Sequence, residues 1–138
     1  MEAAIKAETI REQCLSEGKD FTFETVLSTD RNLLLLKKAK EQGYFIKCFY
    51  ILTSNPYINV QRVKVRHKTG GHDVPTDKII SRYYKSLDLL PKLVDVSDII
   101  HVYDNTENPI RIFKKKKGEI SLFENDIWSM DDIKKLVF

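Results

Sequence analysis

The sequence predicts an α/β domain of three layers, a parallel sheet between helices, with a C-terminal β hairpin or edge pair and a terminal helix. Three observations carry this. Strand-like and helix-like stretches alternate from the N-terminus to about residue 105. The run YFIKCFYIL (Tyr44–Leu52) is apolar almost without interruption, the pattern of a parallel strand buried on both faces. Two short strand-like runs near the C-terminus flank a Lys-Gly turn. At 138 residues and 42% hydrophobic content, one domain with one core is expected. Within it, residues 3–105 read as the βαβ core, 56–92 as a helical lid and 110–138 as the C-terminal strands and helix.

Each element has a local cause. Ala3–Ser16 is rich in alanine, glutamate and lysine and reads as a helix. Ala3, Ala7, Ile10 and Cys14 form its apolar side, Ile5 and Leu15 fall off that stripe, and Gly18 stops it. Phe21–Val26 (FTFETV) reads as a short buried strand. Ser28, Thr29 or Asp30 can cap the next helix, Arg31–Gln42, which Gly43 ends. Strand, helix and the Tyr44–Leu52 strand then make a βαβ unit. Asn55-Pro56 opens a helix whose Tyr57, Val60 and Val63 face the core. After the loop His67–Pro75, a helix starting near Thr76 carries an Ile80, Tyr83, Leu87, Leu90 stripe, and Pro91 bends or ends it. Asp98–Asp104 is a third strand. Ile110–Lys114 and Glu119–Phe123 form the hairpin, and Ser129 caps a terminal helix with Ile133, Leu136 and Val137 as its apolar face.

The composition excludes several functions. Charged residues make up 31% of the chain, but the net charge is only +3, so a nucleic-acid partner is not favoured. The densest basic run, Lys114–Lys117, reads first as a solvated strand end and second as a phosphate patch. Cys14 and Cys48 make neither a disulfide framework nor a zinc set, which suits a reduced, cytoplasmic protein. The N-terminus lacks an apolar signal core, and no run is long enough to cross a bilayer. No metal-ligand cluster is spaced along the chain.

The stretch with chemistry in it is Arg62–Arg82, RVKVRHKTGGHDVPTDKIISR. Arg62 and Arg66 share one helix face, Gly70-Gly71 frees the loop backbone, and Arg82 points away from the apolar stripe of the next helix. Guanidinium groups on both sides of a mobile loop suit the charge that builds on a phosphoryl group in transfer. Ordinary exposed helix arginines are the alternative. Glu24, near the end of the first strand, stands where open α/β sheets bind ligands, and Thr25 and Ser28 can add hydroxyl contacts. His72 in the loop is a weaker phosphate contact.

Taken together these segments resemble zeta-toxin-like P-loop kinases. GKDFTFETVLS is similar to their G-x-S-F-x-x-E-T-T-L-S segment. RVKVRHKTGGHDVPTDKIISRYYKSL is similar to R-V-x-x-R-V-x-x-G-G-H-x-V-P-x-x-x-I-x-x-R-Y, and HVYDN to the Y-D-N of their last strand. The resemblance runs from about Ala3 to Phe113. It implies an ATP-dependent phosphotransferase, with UDP-N-acetylglucosamine or a related sugar nucleotide as substrate and an antitoxin or self-association as further partners. Glu24 would be the substrate-side carboxylate and Thr25 the first threonine of the E-T-T motif, with Ser28 near the substrate. Val26 replaces the second threonine. Arg66 and Arg82 would be the lid arginines on the phosphate, with Arg62 a weaker third. Tyr103 and Asn105 would lie near the adenine.

ATP and Mg²⁺ are expected for the complete family fold, but tight binding by this chain alone is not. A Walker A loop, GxxxxGK[ST], is absent. Gly18-Lys19 is followed by Asp20, and Gln13 stands where the first glycine would be. The family's aspartate base is also absent. The chain therefore reads as the C-terminal part of such a kinase, inactive on its own. The alternative is a non-catalytic binding module for a nucleotide, protein or nucleic acid. Because the family's phosphate-loop strand lies between the counterparts of Phe21–Val26 and Tyr44–Leu52, those two segments are expected either to pair directly or to receive a strand from another molecule.

Overall fold

The computed structural model describes residues 2–138. The elements run α1 (Glu2–Glu17), α2 (Arg31–Glu41), β1 (Lys47–Leu52), α3 (Pro56–Lys68), α4 (Thr76–Val96), β2 (Ile99–Asp104), β3 (Ile110–Lys116), β4 (Glu119–Leu122) and α5 (Met130–Val137). One sheet has the order β1-β2-β3-β4. β1 and β2 are parallel, joined through the α3–α4 hairpin, while β3 and β4 are antiparallel additions. The α/β class holds, but the sheet is mixed, and only its first pair is parallel.

The core lies on one sheet face. Tyr50 and Leu52 of β1, with Ile100 and Val102 of β2, pack against Leu90, Leu93 and Val94 of α4 and Ile133 and Val137 of α5. A smaller cluster of Leu15, Leu35, Ala39 and Ile46 joins α1 and α2 to the start of β1, with Leu36 and Cys48 touching both clusters. Burial on both faces of the Tyr44–Leu52 run is overturned. Phe49 is 60% and Ile51 65% exposed, and no helix among the described residues shields them.

The largest departure from expectation is Phe21–Val26, which is no strand. Residues 18–30 form an irregular connection. Phe21 stacks on Phe23 and meets the edge of Tyr44, so its aromatic content fills the space beside α1 rather than a pleat. Leu27 is buried at a φ of 55°, a left-handed turn that breaks any extended run there. The direct pairing expected between this segment and β1 does not occur. β1 is hydrogen-bonded along one edge only, to β2.

Other local expectations shift for packing reasons. On α1 the buried residue is Leu15, and Ile10 is 51% exposed, because α2 approaches the side that Leu15 occupies. Asp30 is the N-cap residue of α2, yet its side chain makes no capping bond. α4 runs straight through Pro91 to Val96. A mid-helix proline costs about 3 kcal/mol, and the burial of Leu90, Leu93, Val94 and Val96 around it outweighs that. The α4 stripe is anchored by Ile79 rather than Ile80, and Tyr57 of α3 is exposed while Val60 is buried. The Lys117-Gly118 turn, both at positive φ, makes the tight β3–β4 hairpin as read. Ser129 caps α5 by accepting from the Asp132 amide at 3.1 Å.

Candidate functional site

The C-terminal ends of β1 and β2 lie side by side, with Leu52 in register with Asp104. In open α/β sheets this is the ligand-binding end, and here it is built as a polar network. Asp104 is fully buried and accepts from the Thr106 amide at 2.8 Å, the Thr106 hydroxyl at 3.1 Å and the Trp128 indole at 2.8 Å. The Thr106 hydroxyl in turn accepts from the Ser54 amide at 2.9 Å. Thr53, also buried, donates its one hydroxyl proton to the Asn59 side-chain oxygen at 2.6 Å, with the Asn55 carbonyl 3.0 Å away. The Tyr83 hydroxyl donates to the Thr53 carbonyl at 2.7 Å. Burial is the main cause that pushes the Tyr83 phenol up to about 12. It is therefore a neutral, fixed donor at physiological pH. Asp104 is the aspartate of the HVYDN segment, but Thr53, Thr106 and Trp128 do not stand out in the sequence. Their signal is position, at or just after the ends of parallel strands, and Trp128 reaches the site from across the chain.

The α3–α4 hairpin rises from this network. Asn55 caps α3 through its side-chain oxygen, which accepts from the amides of Tyr57 and Ile58. Arg62 is half-buried and donates to the carbonyls of Asn105, at 2.6 Å, and Thr106, at 3.0 Å. It clamps α3 onto the end of β2 through its Nη2 group, which makes both bonds. Asn105 is correspondingly a backbone partner, accepting from Arg62 and donating its amide to Leu52.

One turn further, Arg66 is exposed, as is Arg82 on α4, and neither side chain makes a hydrogen bond or ion pair among the described residues. Between them the chain turns on Gly70-Gly71. Gly70 has a φ of 98°, its amide donates to the His67 carbonyl at 3.1 Å, and the Gly71 amide donates to the Arg66 carbonyl at 2.7 Å. This is a Schellman stop. A Cβ on Gly71 would come within 2.8 Å of the Arg66 carbonyl oxygen. Both glycines thus terminate α3 and set the direction of the loop, and the Gly71 amide points back into the helix. His72 is exposed beside them.

Glu24 and Thr25 are exposed in the 18–30 connection, with Ser28 half-buried. The Thr25 hydroxyl accepts from the Leu27 amide at 3.1 Å and the Asn32 side chain at 2.9 Å, so it braces the turn before α2. No hydrogen bond or ion pair joins Glu24 to Arg66 or Arg82 among the described residues. Tyr103 lies on the uncovered sheet face, next to His101. A concavity between α1 and α2 pairs Arg31 with Glu8 and Lys38 with Glu12, at 3.4 and 3.1 Å, and adds the carboxylate of Asp30, so it does not attract phosphate.

Arg66 and Arg82 each leave an exposed guanidinium group without a partner among the described residues. The arrangement does not fit a nucleoside triphosphate with its magnesium ion. The Gly-Gly pair is used as a helix stop, with the Gly71 amide bonded to the Arg66 carbonyl and not turned outward to a phosphate. A phosphate would meet arginines here, without a loop of inward amides to hold it.

Among known proteins, a family model described as Zeta toxin matches residues 2–127, which include the 18–30 connection, the α3–α4 hairpin and Tyr103–Asn105. A Haemophilus influenzae protein described as uncharacterized is 36% identical over 63 residues, covering 46% of this chain and 45% of that one. The match thus spans less than half of that relative. No solved structure matches.

Proposed function

This chain belongs to the zeta toxin family, and from that premise we propose that it forms the lid and substrate side of an ATP-dependent kinase whose phosphate-gripping loop comes from outside these residues. The observation that carries the reading is the pair of exposed, unpartnered arginines, Arg66 and Arg82, held on two helices joined by the Gly70-Gly71 stop. Their role would be to meet the charge on a transferring phosphoryl group. Glu24 would face the hydroxyl that accepts it, on UDP-N-acetylglucosamine or a related sugar nucleotide. Thr25 keeps a bracing role, and Ser28 is the remaining hydroxyl. Tyr103 and Asn105 would border the base. The open β1 edge is where a strand from another polypeptide would complete the sheet.

By itself the chain is then inactive. Incubation with labelled Mg-ATP and UDP-N-acetylglucosamine is expected to give no phosphorylated sugar, and calorimetry no tight ATP binding. Turnover by the isolated chain would refute the reading. A non-catalytic binding module is the second reading, favoured by one observation: Arg62 and both loop glycines already have structural tasks.

A further inference from the structure

The face of the sheet opposite the core carries a pattern that the lid does not explain. Register places Lys47, Phe49 and Ile51 of β1 beside Ile99, His101 and Tyr103 of β2. On the far side of β2 stand Lys116, Lys114 and Arg111 of β3. The Phe49 and His101 rings stack at 5.2 Å with 19° between their planes, and Tyr103 lies 6.4 Å beyond His101. The Lys47 ammonium sits 5.3 Å over the Phe49 ring. Arg111 reaches both the His101 ring, at 3.4 Å, and the face of Phe123, at 4.7 Å.

The Lys114–Lys117 run divides here. Lys115 turns to the core side and donates to the Val94 carbonyl at 2.8 Å and the Asp95 carbonyl at 3.3 Å, closing the C-terminus of α4. Lys114 and Lys116 remain on the open face. Among the described strand residues that share this face, the carboxylate is Glu119, at the far rim opposite Lys116. His101 is held below its ordinary value, first by burial and then by Arg111, Lys114, Lys47 and Lys116, which marks the field at the centre of the face as positive.

We propose that this open face binds single-stranded nucleic acid, its bases stacking on the aromatic rings of β1 and β2 and its phosphates meeting the flanking lysines. Exposed Phe49 and half-buried His101 and Tyr103 on a pleated sheet, flanked by Lys47 on one side and Lys114, Lys116 and Arg111 on the other, present what unpaired bases and a phosphate chain require. A duplex hides its base faces and does not satisfy the rings. A protein strand or helix would need acidic groups to match the four cations Lys47, Lys114, Lys116 and Arg111. This site goes beyond the phosphotransfer reading: it shares Tyr103 with that reading, but Glu24, Arg66 and Arg82 take no part in it, and Phe49, Lys47 and Lys114 belong to it alone.

The test is fluorescence anisotropy of the full chain with a labelled mixed-sequence DNA 12-mer at 50 and 200 mM salt, in parallel with RNA of the same length and a duplex. Single strands are expected to bind with marked salt dependence, the duplex more weakly, and the stronger of DNA and RNA identifies the natural class. Phe49→Ala should weaken binding about ten-fold, and Phe49→Tyr should restore it. Lys114→Gln should flatten the log–log salt slope by about 0.7. Phe49 is mostly exposed, so these variants keep the fold, which circular dichroism verifies. The proposal fails if no single strand binds at low salt, if the duplex binds equally well, or if Phe49→Ala has no effect. It also fails if the purified protein is a dimer that Phe49→Ala makes monomeric, since protein then covers the face.

Discussion

Arg62 and Arg66 stand one turn apart on the same helix, and the structure treats them differently. Arg62 is half-buried, with its guanidinium fixed to two carbonyls at the end of β2. Arg66 is exposed on the last turn, without a partner among the described residues. The inner turn of α3 belongs to the network around Thr53, Asp104 and Thr106, and the outer turn belongs to the loop. A guanidinium already hydrogen-bonded to backbone carbonyls holds a helix, and a free one can hold a ligand.

The comparison is broken most severely at the inner end. Asp104→Ala strands the Thr106 and Trp128 donors and should destabilise by about 3 kcal/mol or more. Chemical denaturation measures it, and an unchanged midpoint would show that the network is not structural. Arg62→Ala removes two charge-assisted bonds, and a loss of about 2 kcal/mol is expected; an effect below about 0.5 kcal/mol would place Arg62 with the free arginines. Gly71→Ala drives a methyl against the Arg66 carbonyl and should cost about 1–2 kcal/mol. Equal stability there would mean that the loop relaxes freely. Arg66→Ala and Arg82→Ala should lie within about 0.5 kcal/mol of the parent, and in the completed kinase they should abolish transfer while leaving the melting temperature unchanged.

The smallest effect is pH-dependent. Burial and the surrounding Arg111, Lys114, Lys47 and Lys116 hold His101 below its ordinary value of 6.5. The unfolded chain then binds the proton more readily than the folded one. The stability due to neutral His101 is present above about pH 6.5 and is lost as the pH falls to the lowered folded value. His101→Gln should remove that acid-side slope from melting curves, and a slope that persists would assign it to another group.

Much of the framework was legible in short stretches. The Asn55-Pro56 start, the Lys117-Gly118 turn and the Ser129 cap are local chemistry, and each forms as read. The apolar KCFYIL run marks a strand, but its composition does not tell how many of its faces are covered. Phe21–Val26 shows the limit from the other side. Aromatic and β-branched residues favour a pleat only when a neighbouring strand takes their backbone groups, and here the rings pack sideways beside α1. The arginines of the candidate site were visible by type and spacing. Their separation into clamp and free pair was not, because Arg62 is occupied by carbonyls 43 and 44 residues away.

By itself the sequence determined the α/β class, the helical hairpin and the absence of a Walker A loop, since periodicity, caps and motif spacing are local properties. Only the tertiary structure decided that one sheet face is left open, that Gly70 and Gly71 act as a helix stop, and that Lys115 parts from Lys114 and Lys116. Each depends on which atoms arrive from distant parts of the chain to accept a hydrogen bond or exclude water.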